Sequence, residues 1–167
     1  AGMTNEAGDD ASGSDTTCDC VIEDRSDLLN HLDDYFSDPN ATHVCGDIST
    51  WDVSKVTDFS ELFKDQANFN ADISNWDTSS VTDFSKTFYD ATSFTGDGVS
   101  NWDTSRVTTL SYTFWGATSF TGDGISNWNT SSVTTLYRTF YNATSFTGDG
   151  VSSWDTSSVT SLYETFV

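Results

Sequence analysis

Residues 72–102 read DISNWDTSSVTDFSKTFYDATSFTGDGVSNW, and the end of this stretch starts the same text again. Trp51, Trp76, Trp102, Trp128 and Trp154 are separated by 25, 26, 26 and 26 residues. Five residues after each comes Val (Val56, Val81, Val107, Val133, Val159), and eight after comes Phe59, Phe84, Leu110, Leu136 or Leu162. Twelve after comes Phe (Phe63, Phe88, Phe114, Phe140, Phe166), and eighteen after the first four come Phe69, Phe94, Phe120 and Phe146. A fixed period of this length marks a repeat architecture. One unit cannot bury its own aromatic face, but stacked units can, and each buried Phe then contributes roughly 1.5–3 kcal/mol.

Within the unit, Val81, Phe84, Phe88 and Ala91 stand at i, i+3, i+7 and i+10, the spacing of one helix face. Ser80 before them and Asp83 three residues on resemble a capping box. A Gly-rich turn follows at Thr95-Gly96-Asp97-Gly98, and Val99 to Trp102 reads as a short strand piece. One strand and one helix per unit predict an α/β repeat solenoid, leucine-rich-repeat-like, of about five coils at the roughly 4.7–4.9 Å spacing of neighbouring strands.

The units Asp72-Ile-Ser-Asn-Trp-Asp-Thr-Ser-Ser-Val-Thr-Asp-Phe-Ser and Val99-Ser-Asn-Trp-Asp-Thr-Ser-Arg-Val-Thr resemble the 26-residue repeat of BspA-like bacterial surface proteins. The likeness covers about residues 46–167 and is carried by Trp-Asp-(Val/Thr)-Ser-x-Val-Thr. Two positions where that family often has Met hold Phe/Leu and Thr/Leu here, as at Phe84 and Thr87. The resemblance implies a location at a cell surface and a role in adhesion or binding.

The two ends depart from the period. Residues 1–17 are Gly, Asp, Ser, Thr and Ala without periodicity and read as a disordered tail or linker. Residues 18–45 read as an N-terminal cap. Its helix, over 21–37, carries an apolar stripe of Leu28, Leu29, Leu32 and Phe36, has Ser26 as N-cap, and ends at Asp38-Pro39. The solenoid follows over 46–167 and stops partway through a coil at Phe166-Val167. Trp154, Val159, Leu162 and Phe166 are thereby left for a further stretch of chain or a second molecule to cover.

Composition narrows the partners. With 26 Asp plus Glu against 6 Lys plus Arg, the net charge of −20 repels phosphate backbones and anionic lipid, which excludes nucleic acid. No apolar run approaches the ~20 residues of a membrane span, so no membrane insertion is expected. Proteins and glycans remain.

Residue chemistry points the same way. Nearly every polar residue recurs with the period, His31 and His43 lie in the cap, and no nucleophile–base spacing stands out, so no enzyme is expected. Cys18, Cys20 and Cys45 predict a disulfide of Cys45 with Cys18 or Cys20, a cross-link worth roughly 3 kcal/mol for a loop of this length. The alternative is a Cys3His zinc site completed by His43, disfavoured because zinc modules space paired ligands wider than Cys-x-Cys.

Asp97, Asp123 and Asp149 form one carboxylate column, and Asp52, Asp77, Asp103 and Asp155 another. Calcium between coils would relieve their repulsion, about 0.8 kcal/mol per neighbour at ~5 Å in water. The simpler reading assigns them to turns. Asn75, Asn101 and Asn127 read as a hydrogen-bonding ladder of the leucine-rich-repeat kind. Asn40, Asn129 and Asn142 are N-glycosylation acceptors. Tyr89, Trp115 and Tyr141, thirteen after their Trp, either stack on sugars or a partner, or lie flat over neighbouring coils.

These features together predict an extracellular or cell-surface module for adhesion or for protein or glycan binding. The rival is a structural subunit that self-associates through its C-terminal coil into a filament or layer.

Overall fold

In the computed structural model, which describes residues 20–38 and 45–167, the backbone N–H groups of the repeat alternate between two kinds of acceptor. Those of Phe84, Lys86, Phe88 and Asp90 donate to the carbonyls of Thr109, Ser111, Thr113 and Trp115 in the next unit, at 2.8–3.2 Å. Those of Thr87, Tyr89 and Ala91 donate three residues back, to Phe84, Lys86 and Phe88, at 3.1–3.2 Å. Half of the N–H groups therefore point along the stack and half close tight turns. A helix, whose every N–H reaches four residues back, cannot form from such a pattern.

The backbone angles show why. Lys86 and Asp90 are left-handed, with φ 57° and 53°, and Glu61, Asp65, Tyr112, Arg138, Asn142 and Glu164 at equivalent places share that conformation. A left-handed residue every fourth position breaks an L-residue helix and produces a run of β-turns. The expected strand–helix coil is thus corrected on both counts. Val81 to Ala91 is a series of turns, and Val99–Asn101, expected as strand, is one turn of 3-10 helix, repeated at Ile48–Thr50, Ile125–Asn127 and Val151–Ser153. Pairing between units is confined to isolated parallel bridges such as Asp58 to Asp83, Asp83 to Thr109 and Thr109 to Thr135. The leucine-rich-repeat-like α/β solenoid is not what this chain forms; it is a stack of turn-built coils beginning at Trp51, Trp76, Trp102, Trp128 and Trp154, numbered 1 to 5 below.

The inward residues are those the period singled out. Val81, Phe84, Phe88, Ala91, Phe94 and Val99 of coil 2 are fully buried, as are Val107, Phe114, Ala117, Phe120 and Ile125 of coil 3. Phe88, Phe114 and Phe140 stack with centroids 5.6 Å apart and planes within 6° of parallel. Each also lies flat on the second Phe of its coil, as Phe114 does on Phe120 at 3.9 Å. That second column dictates glycine. A Cβ on Gly96 would stand 2.6 Å from the Phe120 ring, and one on Gly122 2.5 Å from that of Phe146.

Buried polar atoms are paired from coil to coil. The indole N–H groups of Trp76, Trp102, Trp128 and Trp154 donate to the carbonyls of Ile48, Ile73, Val99 and Ile125, each three residues ahead of the preceding Trp, at 2.9–3.1 Å. Among the described residues no coil precedes coil 1, and the buried N–H of Trp51 has no acceptor there. Buried Thr87, Thr113, Thr139 and Thr165 donate to Phe59, Phe84, Leu110 and Leu136, at 2.8–3.0 Å. The ladder is therefore one of threonines and indoles. Asn75, Asn101 and Asn127, expected to form it, are exposed.

The single α-helix among the described residues, α1 (Arg25–Ser37), closes the first coil. Its N-cap is Asp24, whose carboxylate accepts the Asp27 N–H, and not Ser26, which lies inside the helix. Leu28 and Leu32 are buried, and the Phe36 ring meets Phe63 and Phe69 edge-on at 6.4 and 6.2 Å. Ahead of the helix, Ile22 N–H donates to Asp52 and Asp52 N–H to Cys20, tying the cap to coil 1. At the other end Leu162, Tyr163, Phe166 and Val167 are 56–71% exposed. The tail over 1–17 and residues 39–44 lie outside the described residues.

Candidate binding surface

The positions ten and thirteen after each Trp lie side by side on one flank of the stack. Tyr89, Trp115 and Tyr141 are half-buried and parallel to within 6°, with centroids 4.4 and 5.8 Å apart. Trp115 therefore has a tyrosine over each face. No sugar can stack on it; the rings present their edges outward, and an aromatic edge carries the positive end of the ring quadrupole. Of the two expected arrangements, the structure holds the one in which these rings lie flat over neighbouring coils.

Beside them a groove of about 530 Å³ is lined by Lys64, Asp65, Lys86, Asp90, Tyr112 and Arg138 together with Tyr89 and Trp115. Three of the chain's 6 Lys and Arg stand here, in a chain of net charge −20. Each is held in place. Lys86 bonds Glu61 at 2.8 Å, and Lys64 approaches the same carboxylate at 3.7 Å. Arg138 pairs with Glu164 at 2.6 Å, and its guanidinium lies 5.4 Å from the Tyr137 and Tyr141 centroids and 5.8 Å from that of Tyr163.

Glu61 and Asp90 shift in opposite directions. The Lys86 hydrogen bond holds Glu61 below the usual carboxylate range. Burial, then repulsion from Asp65 in the coil before, pushes Asp90 above it. Gly116 gives Asp90 its room, since a Cβ there would collide with the Asp90 carboxylate.

The other expected sites fall as follows. Asp97, Asp123 and Asp149 each accept the hydroxyl of the Thr two residues earlier, at 3.0–3.1 Å, which is a turn role. Asp52, Asp77, Asp103 and Asp155 each accept the N–H two residues on, at 2.9–3.0 Å. Asn129 and Asn142 are exposed, and Asn129 also accepts from the Ser131 hydroxyl at 2.7 Å; Asn40 lies outside the described residues. Cys45 is joined to Cys20. Cys18 and His43 lie outside the described residues, and the histidine beside the two cysteines is His31, with Nδ1 3.4 Å from the Cys45 sulfur.

Sequence reading found the aromatic column and missed the basic one beside it. Lys86, Tyr112 and Arg138 stand ten after their Trp, three before the aromatic column, a spacing that puts the two columns on one side. Their variety of side chain hid the column.

The family whose description is "Mycoplasma protein of unknown function, DUF285" matches residues 30–124 and again 96–167, an overlap natural to a chain of like units. No curated protein and no solved structure matches the chain.

Proposed function

The chain belongs to that family, and we propose that it is a non-catalytic, extracellular binding module that takes a glycan along the groove between Lys86, Tyr112 and Trp115. The observation that carries this reading is the gathering of half of the chain's basic side chains beside a stack of aromatic edges. A polyanion would meet Asp65, Asp90 and the acidic surface around them. A polycation would meet Lys64, Lys86 and Arg138. A neutral or weakly acidic chain of hydroxyls, each both donor and acceptor, matches a lining of carboxylates, cations and phenols.

The location is supported by the disulfide, which persists in oxidising compartments, and by the resemblance of the units to surface-protein repeats. No helix among the described residues is long and apolar enough to cross a membrane.

The test is binding to a panel of immobilised neutral and uronic-acid glycans, with Lys86→Ala and Tyr112→Ser beside the parent chain. Binding that falls at least tenfold in both variants, at unchanged melting temperature, supports the groove. A parent chain that binds nothing in the panel sinks the glycan reading, and binding indifferent to both variants places the site elsewhere.

A second reading, end-to-end assembly, draws on the exposure of Leu162, Tyr163, Phe166 and Val167 on coil 5. It calls for association of the purified chain without any added ligand.

A further inference from the structure

From the cap, we infer that Cys20, Cys45 and His31 form a redox-gated site for a soft divalent cation such as Zn2+, closed in the disulfide state and open in the dithiol state. The three side chains come from separate places: Cys20 precedes α1, His31 sits on its second turn, and Cys45 stands six residues ahead of Trp51. Their ligand atoms lie within 4.8 Å of one another, the only such group of three among the described residues. His31 Nδ1 is 3.4 Å from the Cys45 sulfur, and Nε2 is 4.0 Å from the Cys20 sulfur.

The first of those separations matches an edge of a metal tetrahedron. With Zn–S near 2.3 Å and Zn–N near 2.0–2.1 Å, tetrahedral geometry sets S and N about 3.6 Å apart and two sulfurs about 3.8 Å apart. The edge between Nδ1 and the Cys45 sulfur is thus already in place, and the Cys20 sulfur has to part from that of Cys45.

A second feature fits a ligand histidine. Asp27, one helical turn before His31, places its Oδ1 3.5 Å from Nε2. Its other oxygen is fixed by the Glu23 N–H at 3.1 Å. With Nδ1 turned to the metal, Nε2–H faces Asp27. Carboxylate–histidine–metal sites use this arrangement to fix the tautomer and raise the basicity of the ring. Cys45 is 6% exposed while Cys20 is half-buried, so a water can reach the fourth position from the Cys20 side.

As a disulfide the sulfurs carry no charge to give a cation. A phosphine reductant opens the bond: the phosphine becomes its oxide with the oxygen of one water, and the two hydrogens of that water end on the two sulfurs. Binding then releases both thiol protons, and the thiolates balance the 2+ charge. A disulfide oxidant reverses the sequence: it takes two electrons from the thiolates, is itself reduced to two thiols with two protons from the solvent, and the cation, its thiolate ligands gone, is expelled.

The test uses the full chain, reduced with phosphine, desalted under inert gas and titrated with Co2+. The expected result is one equivalent per chain, with a thiolate charge-transfer band and tetrahedral visible bands that Zn2+ abolishes, and none of this in the oxidised chain. His31→Ala should weaken binding at least tenfold, and Asp27→Asn by about 10–100-fold. Cys18→Ser should leave stoichiometry and affinity unchanged. Far-UV circular dichroism checks α1 in each variant. Should His31→Ala lose the helix, Asp27→Asn alone decides, and an unchanged affinity there overturns the site. So does a reduced parent chain without the bands, a folded His31→Ala that binds as tightly, or a Cys18→Ser that loses the cation.

Discussion

Replacing Phe114 by Ala tests the turn-built stack at its centre. The ring is fully buried and meets Phe88 and Phe140 at 5.6 Å, Phe120 at 3.9 Å and Trp128 at 5.9 Å. Transfer and cavity terms for a buried Phe→Ala come to about 3–5 kcal/mol. Aromatic pairs add about 0.5–1.5 kcal/mol each beyond burial, so the upper end, about 4–5 kcal/mol, is expected. A domain of this kind is stable by about 5–15 kcal/mol, so the variant should lose a third or more of its stability. The rings that Phe114 meets lie in coils 2 to 4, so the loss should fall there and lower the cooperativity of unfolding. Urea titration followed by tryptophan fluorescence measures both effects, with Leu162→Ala, at 58% exposure, as a control expected within about 0.5 kcal/mol of the parent. A Phe114→Ala loss under about 1 kcal/mol would falsify the stack, because a ring sandwiched between two others cannot be removed so cheaply.

Three further outcomes are expected. Gly122→Ala should cost more than Gly148→Ala in the same titration: both are left-handed, a strain of about 1–2 kcal/mol, but only Gly122 has the Phe146 ring 2.5 Å from the new methyl, and equal losses would refute the close approach. Asp90→Asn should raise the unfolding free energy read from the urea titration at pH 7 by under about 1 kcal/mol, since the contact is partly screened. The fold raises the Asp90 pKa, so its penalty is absent below the ordinary carboxylate range and grows as pH rises through the raised value; a gain that persists at pH 3 would contradict this origin. Light scattering over a dilution series should show association of the chain that Leu162→Asp removes, and a parent chain monodisperse at every concentration would end the assembly reading.

The period made the inside legible. Trp, Val and Phe columns that recur with the period are the buried ones through coils 1 to 3, because only a position that repeats its environment repeats its side chain. The cap helix was equally plain, since Leu28, Leu32 and Phe36 follow a true helical stripe. One further signal was there to be read. Asp65, Asp90, Gly116 and Asn142 form a column of the residue types that tolerate a left-handed backbone, and all four adopt it. That column argues for turns inside the segment that Val81, Phe84, Phe88 and Ala91 dress as a helix.

What the sequence by itself determined is therefore the unit, its length and its buried face. The tertiary structure alone decided how the backbone runs between those buried points. Spacings of 3, 4 and 3 residues bring side chains to one face in a helix, and they do the same in consecutive turns with left-handed corners. The choice rests on where each N–H finds its acceptor. For Phe84, Lys86, Phe88 and Asp90 the acceptors lie 25 residues on, in the next coil, at a distance no local pattern records. The same holds for the groove, whose Lys86, Tyr112 and Arg138 meet only because stacking brings residues 26 apart into contact. It holds again for the cap, where folding brings His31 to Cys20 and Cys45 from 11 and 14 residues away.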